Sequence, residues 1–202
     1  MGSEYVGQES SDTKKFQKVV AVIQDNSNNE LKLDTSTSAM TTIEYEHHEI
    51  HGGNHYFVAG FEVINDGGTA IFAMTTPDTK KWVHLRFDVS GTSRLEFSIG
   101  EDATINGGTA VTPNNNDRNS SNTSGVVLVK NPGISHGGTV IFSSTSGLEG
   151  VSKTPAIGSG ISANQEIILK QNSIYVFTLT SRDDTNNVSY VSEWYEHTNN
   201  TP

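Results

Sequence analysis

Residues 81–100 read KWVHLRFDVSGTSRLEFSIG and hold two runs of strict alternation. Val83, Leu85, Phe87 and Val89 stand on one side of the first run, with Trp82, His84, Arg86 and Asp88 on the other. After Ser90-Gly91-Thr92-Ser93, the residues Leu95, Phe97 and Ile99 alternate with Arg94, Glu96 and Ser98. Successive side chains of a strand point to opposite faces, so each run has one apolar face to bury. Two such runs across a short Gly-containing connection predict a β-hairpin.

The same pattern, weaker in places, puts further strands at roughly 16–24, 42–50, 55–64, 69–75, 125–130, 138–143, 165–170, 173–181 and 187–197. The last three are rich in Ile, Val, Tyr and Phe, the residues that suit a half-buried pleated surface. Polar stretches such as KQNS (170–173) and RDDTNN (182–187) supply turn chemistry between them. No fifteen-residue window carries a helical stripe. The expected fold class is therefore all-β: a β-sandwich or jelly-roll-like barrel of about ten short antiparallel strands with long polar loops.

Residues 1–41, with one apolar run and then the polar DNSNNELKLDTSTSAM, read as an N-terminal arm, and 42–202 as the sandwich domain. TPNNNDRNSSNTSG (112–125) has no apolar residue after its Pro and reads as a surface loop; residues 143–165 form a second long Gly/Ser-rich loop. Gly-Gly-Thr recurs at 67–69, 107–109 and 137–139, each time ahead of β-formers. The spacing is irregular, so the triplets read as hairpin punctuation and not as a repeat.

Composition narrows the function. The 202 residues contain no cysteine, which removes thiol chemistry, Cys-based zinc sites and disulfides. Twenty-three acidic against 13 basic residues give a formal charge of −10, a field that repels nucleic-acid backbones and anionic lipid. No apolar run is long enough to span a membrane, and MGSEYVGQESSDTKKF lacks a signal peptide's apolar stretch. Nucleic acid and membrane are thus not expected partners. No Gly-x-Ser-x-Gly elbow appears at a strand-to-helix turn, and no EF-hand spacing or recognisable pair of carboxylates is present, so no catalytic residue is assigned and no cofactor is implied.

One stretch stands apart. EYEHHEIHGGNHYF (44–57) packs four of the seven histidines into fourteen residues. A zincin needs His-Glu-x-x-His on a helix, and His48-Glu49-Ile50-His51 is one residue short, with Gly52-Gly53 behind it. On a strand, His47, Glu49 and His51 would share a face, and a Gly-Gly-Asn turn would bring up His55, a set that could hold zinc. The alternative, which we adopt as the expectation, is a histidine-lined hairpin with rings packed on Tyr45 and Tyr56 or facing a neighbouring subunit. Tyr-Glu-His recurs at 195–197. Trp82 and Arg86, on the outward stripe of the best strand, mark either a partner contact or a face beneath a second sheet.

Taken in order, EYEHHEIHGGNHYF, AMTTPDTKKWVHLRFDV (73–89), NNNDRNSSN (114–122), ILKQNSIYVFTLTSR (168–182) and WYEHTN (194–199) resemble a group of tailed-bacteriophage virion proteins encoded among head genes and associated with capsid decoration or cement. The resemblance covers about residues 40–199 and leaves out the arm. It implies a β-rich structural protein, made in the host cytoplasm and bound to the major capsid protein on the outside of the virion head. It also implies a homo-oligomer, a trimer by preference, and no catalytic residues. On this reading Tyr45, His47, His51, Trp82, Arg86, Trp194 and Tyr195 are the candidate contact positions.

Overall fold

The computed structural model describes residues 45–79, 81–147, 160–162 and 166–198. They form one short helix, α1 (Tyr45–His51), and fourteen strands. The strands are β1 (His55–Ile64), β2 (Thr69–Thr75), β3 (Lys81–Gly91), β4 (Leu95–Glu101), β5 (Thr104–Asn106), β6 (Thr109–Val111) and β7 (Asn114–Asn115). There follow β8 (Val127–Lys130), β9 (Gly133–His136), β10 (Thr139–Ser146), β11 (Gly160–Ser162), β12 (Ile167–Leu169), β13 (Ile174–Ser181) and β14 (Asn186–Thr198). The arm, the strand expected at 16–24 and most of the 143–165 loop lie outside the described residues.

Two six-stranded antiparallel sheets carry the fold. Sheet I runs β3-β14-β1-β7, with β11 and β12 both pairing the outer edge of β3. Sheet II runs β10-β4-β13-β2-β8-β6, and β5 and β9 make a separate two-stranded ladder. The apolar faces of the two sheets meet in one core. Val83, Leu85, Phe87, Val89, Val188 and Trp194 come from sheet I, and Phe72, Met74, Leu95, Phe97, Ile99, Tyr175, Phe177 and Leu179 from sheet II. This is the all-β sandwich expected from period-two alternation.

The deciding stretch behaves differently from expectation. Its two runs are strands and their apolar faces are buried, but β3 belongs to sheet I and β4 to sheet II. The chain crosses from one sheet to the other, so Phe87 and Phe97 face each other across the core with ring centroids 4.8 Å apart. The turn's polar groups find partners on the neighbouring crossing between β13 and β14. Thr92 N donates to Asn187 O at 3.1 Å and Arg182 N to Arg94 O at 3.1 Å. The fully buried Asn186 accepts from Ser93 N at 3.0 Å and donates to Arg94 O at 3.2 Å. Two crossings lying side by side satisfy each other, which replaces the hydrogen bonds a hairpin would close on itself.

This arrangement is general. Among the described residues no two strands consecutive in the chain pair with each other. The Gly-Gly-Thr triplets do open strands at Thr69, Thr109 and Thr139, yet each delivers the chain into sheet II from elsewhere: from β1, from β5 and from β9. They are crossings and not hairpin turns.

The strand expected at 42–50 is replaced, over its described part, by α1. Gly52-Gly53 is its C-terminal cap. Gly53 N donates to Ile50 O at 3.0 Å and Asn54 N to Glu49 O at 2.9 Å, the paired bonds of a Schellman motif. Gly53 takes the left-handed conformation this requires, with φ +69°. A Cβ there would also lie 2.3 Å from Ser120 Oγ, so the cap and the 112–125 loop are fitted to each other. That loop contains β7, paired to Tyr56 and Phe57, and its buried Asn115 donates to Gly53 O at 2.9 Å.

Candidate functional site: a histidine cluster on the outer face of sheet I

Strand register assembles the cluster. His55 on β1 lies opposite Tyr195 on β14, which lies opposite His84 on β3. Because odd residues of β1 and β14 and even residues of β3 point outward, the three side chains form one row on the face away from the core. The rings of Tyr195 and His84 stack at 4.4 Å. His197, one outward position further along β14, brings its ring within 4.4 Å of His84.

Two carboxylates close over this row. Glu166, just ahead of β12, accepts from Tyr195 Oη at 2.8 Å through one oxygen and bonds His84 Nδ1 through the other. Burial pushes its carboxyl upward, but the hydrogen bonds from His84 and Tyr195 hold it below the usual carboxylate range. Glu46 on α1 receives a 2.6 Å bond from Arg86 Nη1 and lies 3.5 Å from His55 Nε2. His55 itself is buried, and burial lowers its pKa against the opposing pull of Glu193 and Glu46. Asn116 Nδ2 donates to its Nδ1 at 2.7 Å, which leaves the proton of a neutral ring on Nε2, toward Glu46. These side chains fit against one another and leave no water-sized cavity. The cavity lined by Val58, Phe72, Phe97, Val111, Phe177 and Tyr190, among others, lies between the sheets, is apolar, and measures about 30 Å³.

The residues singled out from the sequence separate into three groups. His47 and His51 sit one turn apart on exposed α1, their Nε2 atoms 3.0 Å apart. Glu49 turns the other way, is buried, and accepts from Asn54 Nδ2 at 3.2 Å. With His55 in β1, the shared strand face of His47, Glu49, His51 and His55 does not exist. Among the described residues no group of three or more His, Asp or Glu side chains is placed to hold a metal ion. The histidine-lined hairpin is likewise replaced, by a helix and the first strand.

Of the candidate contact positions, Arg86 is exposed and paired to Glu46, Trp82 is half-buried opposite His197, and Tyr45 opens α1 with its side chain outside the described set. Trp194 and Tyr195 correct the reading. Trp194 points inward and is buried against Tyr56, and Tyr195 is buried in the row just described. The two Tyr-Glu-His segments share no role, since one begins a helix and the other ends a strand.

Glu166 and His197 were not legible as partners of His84. The outward stripe of β3 is readable, but Glu166 lies 82 residues away in the chain, just past the Gly/Ser-rich loop, and carries no local signal. No protein-family model, curated protein or solved structure matches the chain.

Proposed function

We propose that the chain is a structural protein of a tailed-bacteriophage virion, a decoration or cement protein. It binds the major capsid protein on the outer surface of the head and works as a homo-oligomer, with a trimer as the form its sequence resemblance implies. Many copies bridging neighbouring shell subunits stabilise the assembled shell, because they bind that form and not the free subunits.

One observation carries the interaction part of this reading. Phe61 and Val63 on β1 are 73% and 55% exposed, and Val191 on β14 is 40% exposed, all on the outer face of sheet I. Past Phe57, β1 also has no paired neighbour along its free edge among the described residues. A long apolar strand edge left open invites pairing with another chain, and stable proteins usually cover such edges. The occupant we assign to this surface is a second copy of the same chain.

The test is the oligomeric state of the Phe61→Ser/Val63→Ser variant. Sedimentation should show the wild type as an oligomer and the variant dissociating at concentrations about ten-fold higher or more, the effect of truncating apolar anchors. The variant's protomer should keep its fold, because both side chains already face solvent. An unchanged oligomer, or a wild type that is monomeric throughout, would remove this surface from the account.

A further inference from the structure

Two strand edges of the sandwich are long and uncovered among the described residues. One is β1, whose residues 58–64 pair with β14 on one side only. The other is β10, whose 8 residues pair with β4 on one side only. The remaining edge strands β5, β6, β7, β9, β11 and β12 are shorter, with 2 to 4 residues each.

Along such an edge every second residue turns its backbone N–H and C=O outward with no ladder partner, and proteins usually blunt it with charge, proline or a bulge. Thr139–Ser146 carries no charged residue and no proline, and its one irregularity is the bulge between Val140 and Phe142, near one end. Over residues 58–64 the only charge is Glu62, and it is tied to Lys130 on β8. Both edges also expose large apolar side chains, Phe61 and Val63 on β1 and Val140 (63%) and Ile141 (41%) on β10.

The two edges lie on opposite flanks of the sandwich and in opposite sheets. β1 stands over β8, where Glu62 meets Lys130. β10 stands over β3, where the Phe142 and Phe87 rings meet at 5.0 Å, and β14 separates β3 from β1. One copy cannot bring its own two edges together, but two copies side by side can.

We propose that the β1 edge of one copy pairs with the β10 edge of the next, a head-to-tail contact joining sheet I of one to sheet II of the other. This rests on the reading above that a second copy covers β1, and it names the part of that copy that does so. The alternative sets β1 against β1 about a two-fold axis. That puts two Glu62 carboxylates into one short ladder, where like charges repel, and leaves β10 open. Pairing with β10 adds no second charge and covers both edges. Because the contact uses two different surfaces, each added copy still offers one free edge until a ring closes. A trimer is such a ring.

The experiment mixes two dissociated variants. Phe61→Ser/Val63→Ser keeps the β10 edge, and Val140→Ser/Ile141→Ser keeps the β1 edge. Each alone should dissociate at concentrations about ten-fold higher than the wild type or more. Mixed in equal amounts, they should sediment as a one-to-one dimer and nothing larger, since one intact edge of each kind remains between them. Recovery in the mixture also shows that both variants are folded. The chain has no cysteine, so crosslinking gives a second readout without background. Ala59→Cys on β1 and Ser143→Cys on β10, both exposed, should join each other through a short bis-maleimide and not themselves. A Val140→Ser/Ile141→Ser variant as oligomeric as the wild type, or Ala59→Cys that crosslinks to itself, overturns this inference and leaves a second copy on β1. A wild type that is monomeric throughout removes both.

Discussion

Glu196→Ala is expected to destabilise the protein by about 3–5 kcal/mol, the loss seen when one partner of a buried charged network is removed. Glu196 is 1% exposed and points into the sandwich between the outward Tyr195 and His197. Its carboxylate accepts from Ser124 Oγ at 2.5 Å, from Gly125 N at 3.0 and 3.1 Å, and from Trp194 Nε1 at 3.2 Å. Removing it leaves the Gly125 amide and the buried Trp194 indole N–H without their acceptor. It also frees the end of the 112–125 loop from β14. The neighbouring Tyr56 phenol, pushed up to about 12 by burial and then by Glu196, stays protonated with or without it. Urea unfolding at neutral pH measures the loss; a change below about 1 kcal/mol would show that these bonds are replaced by water at little cost.

Phe97→Ala is expected to cost a similar amount, about 3–5 kcal/mol, by a different mechanism. Phe97 is 3% exposed, with Phe87, Phe142 and Phe177 at ring-centroid distances of 4.8, 5.9 and 6.4 Å. These four rings come from β3, β4, β10 and β13, so they join both sheets at the crossing that follows β3. The vacated volume would run into the apolar cavity that Phe97 and Phe177 already line, and a rigid site of this kind collapses poorly. The matching control is Phe61→Ala, which should change protomer stability by less than about 0.5 kcal/mol because the ring is exposed. Equal losses at the two positions in chemical unfolding of the monomer would contradict this assignment of the core.

The contrast between Phe97 and Phe61 shows what was legible in the sequence. Alternation assigned each side chain of β3 and β4 to a face correctly, since a period of two is a local property of a strand. It said nothing of which strand would lie beside which. The partners of the 91–94 turn are Asn186 and Asn187, more than 90 residues further on, so a short Gly-containing connection looked the same as a hairpin. In the same way, Phe61 is as apolar as Phe87, and it is exposed because it points to the outer face of sheet I while Phe87 points into the core.

The histidine-rich stretch was misread for a different reason. Seven residues are too few for a helical stripe, and α1 is defined instead by its cap at Gly53 and by Glu46, which reaches His55 on β1 and Arg86 on β3. The density of histidines there drew attention from His84 and His197, which lie 113 residues apart in the chain and meet only through the register of β3 with β14.

The central claim is that copies of this chain coat a virion head. Quantitative mass spectrometry of purified parent virions tests it most directly, through the ratio of this protein to the major capsid protein. Decoration predicts a ratio within a few-fold of one. A handful of copies per particle would contradict it and place the chain in the tail or a fibre, where host-glycan binding becomes the reading to test; absence from the particle would sink the virion account entirely.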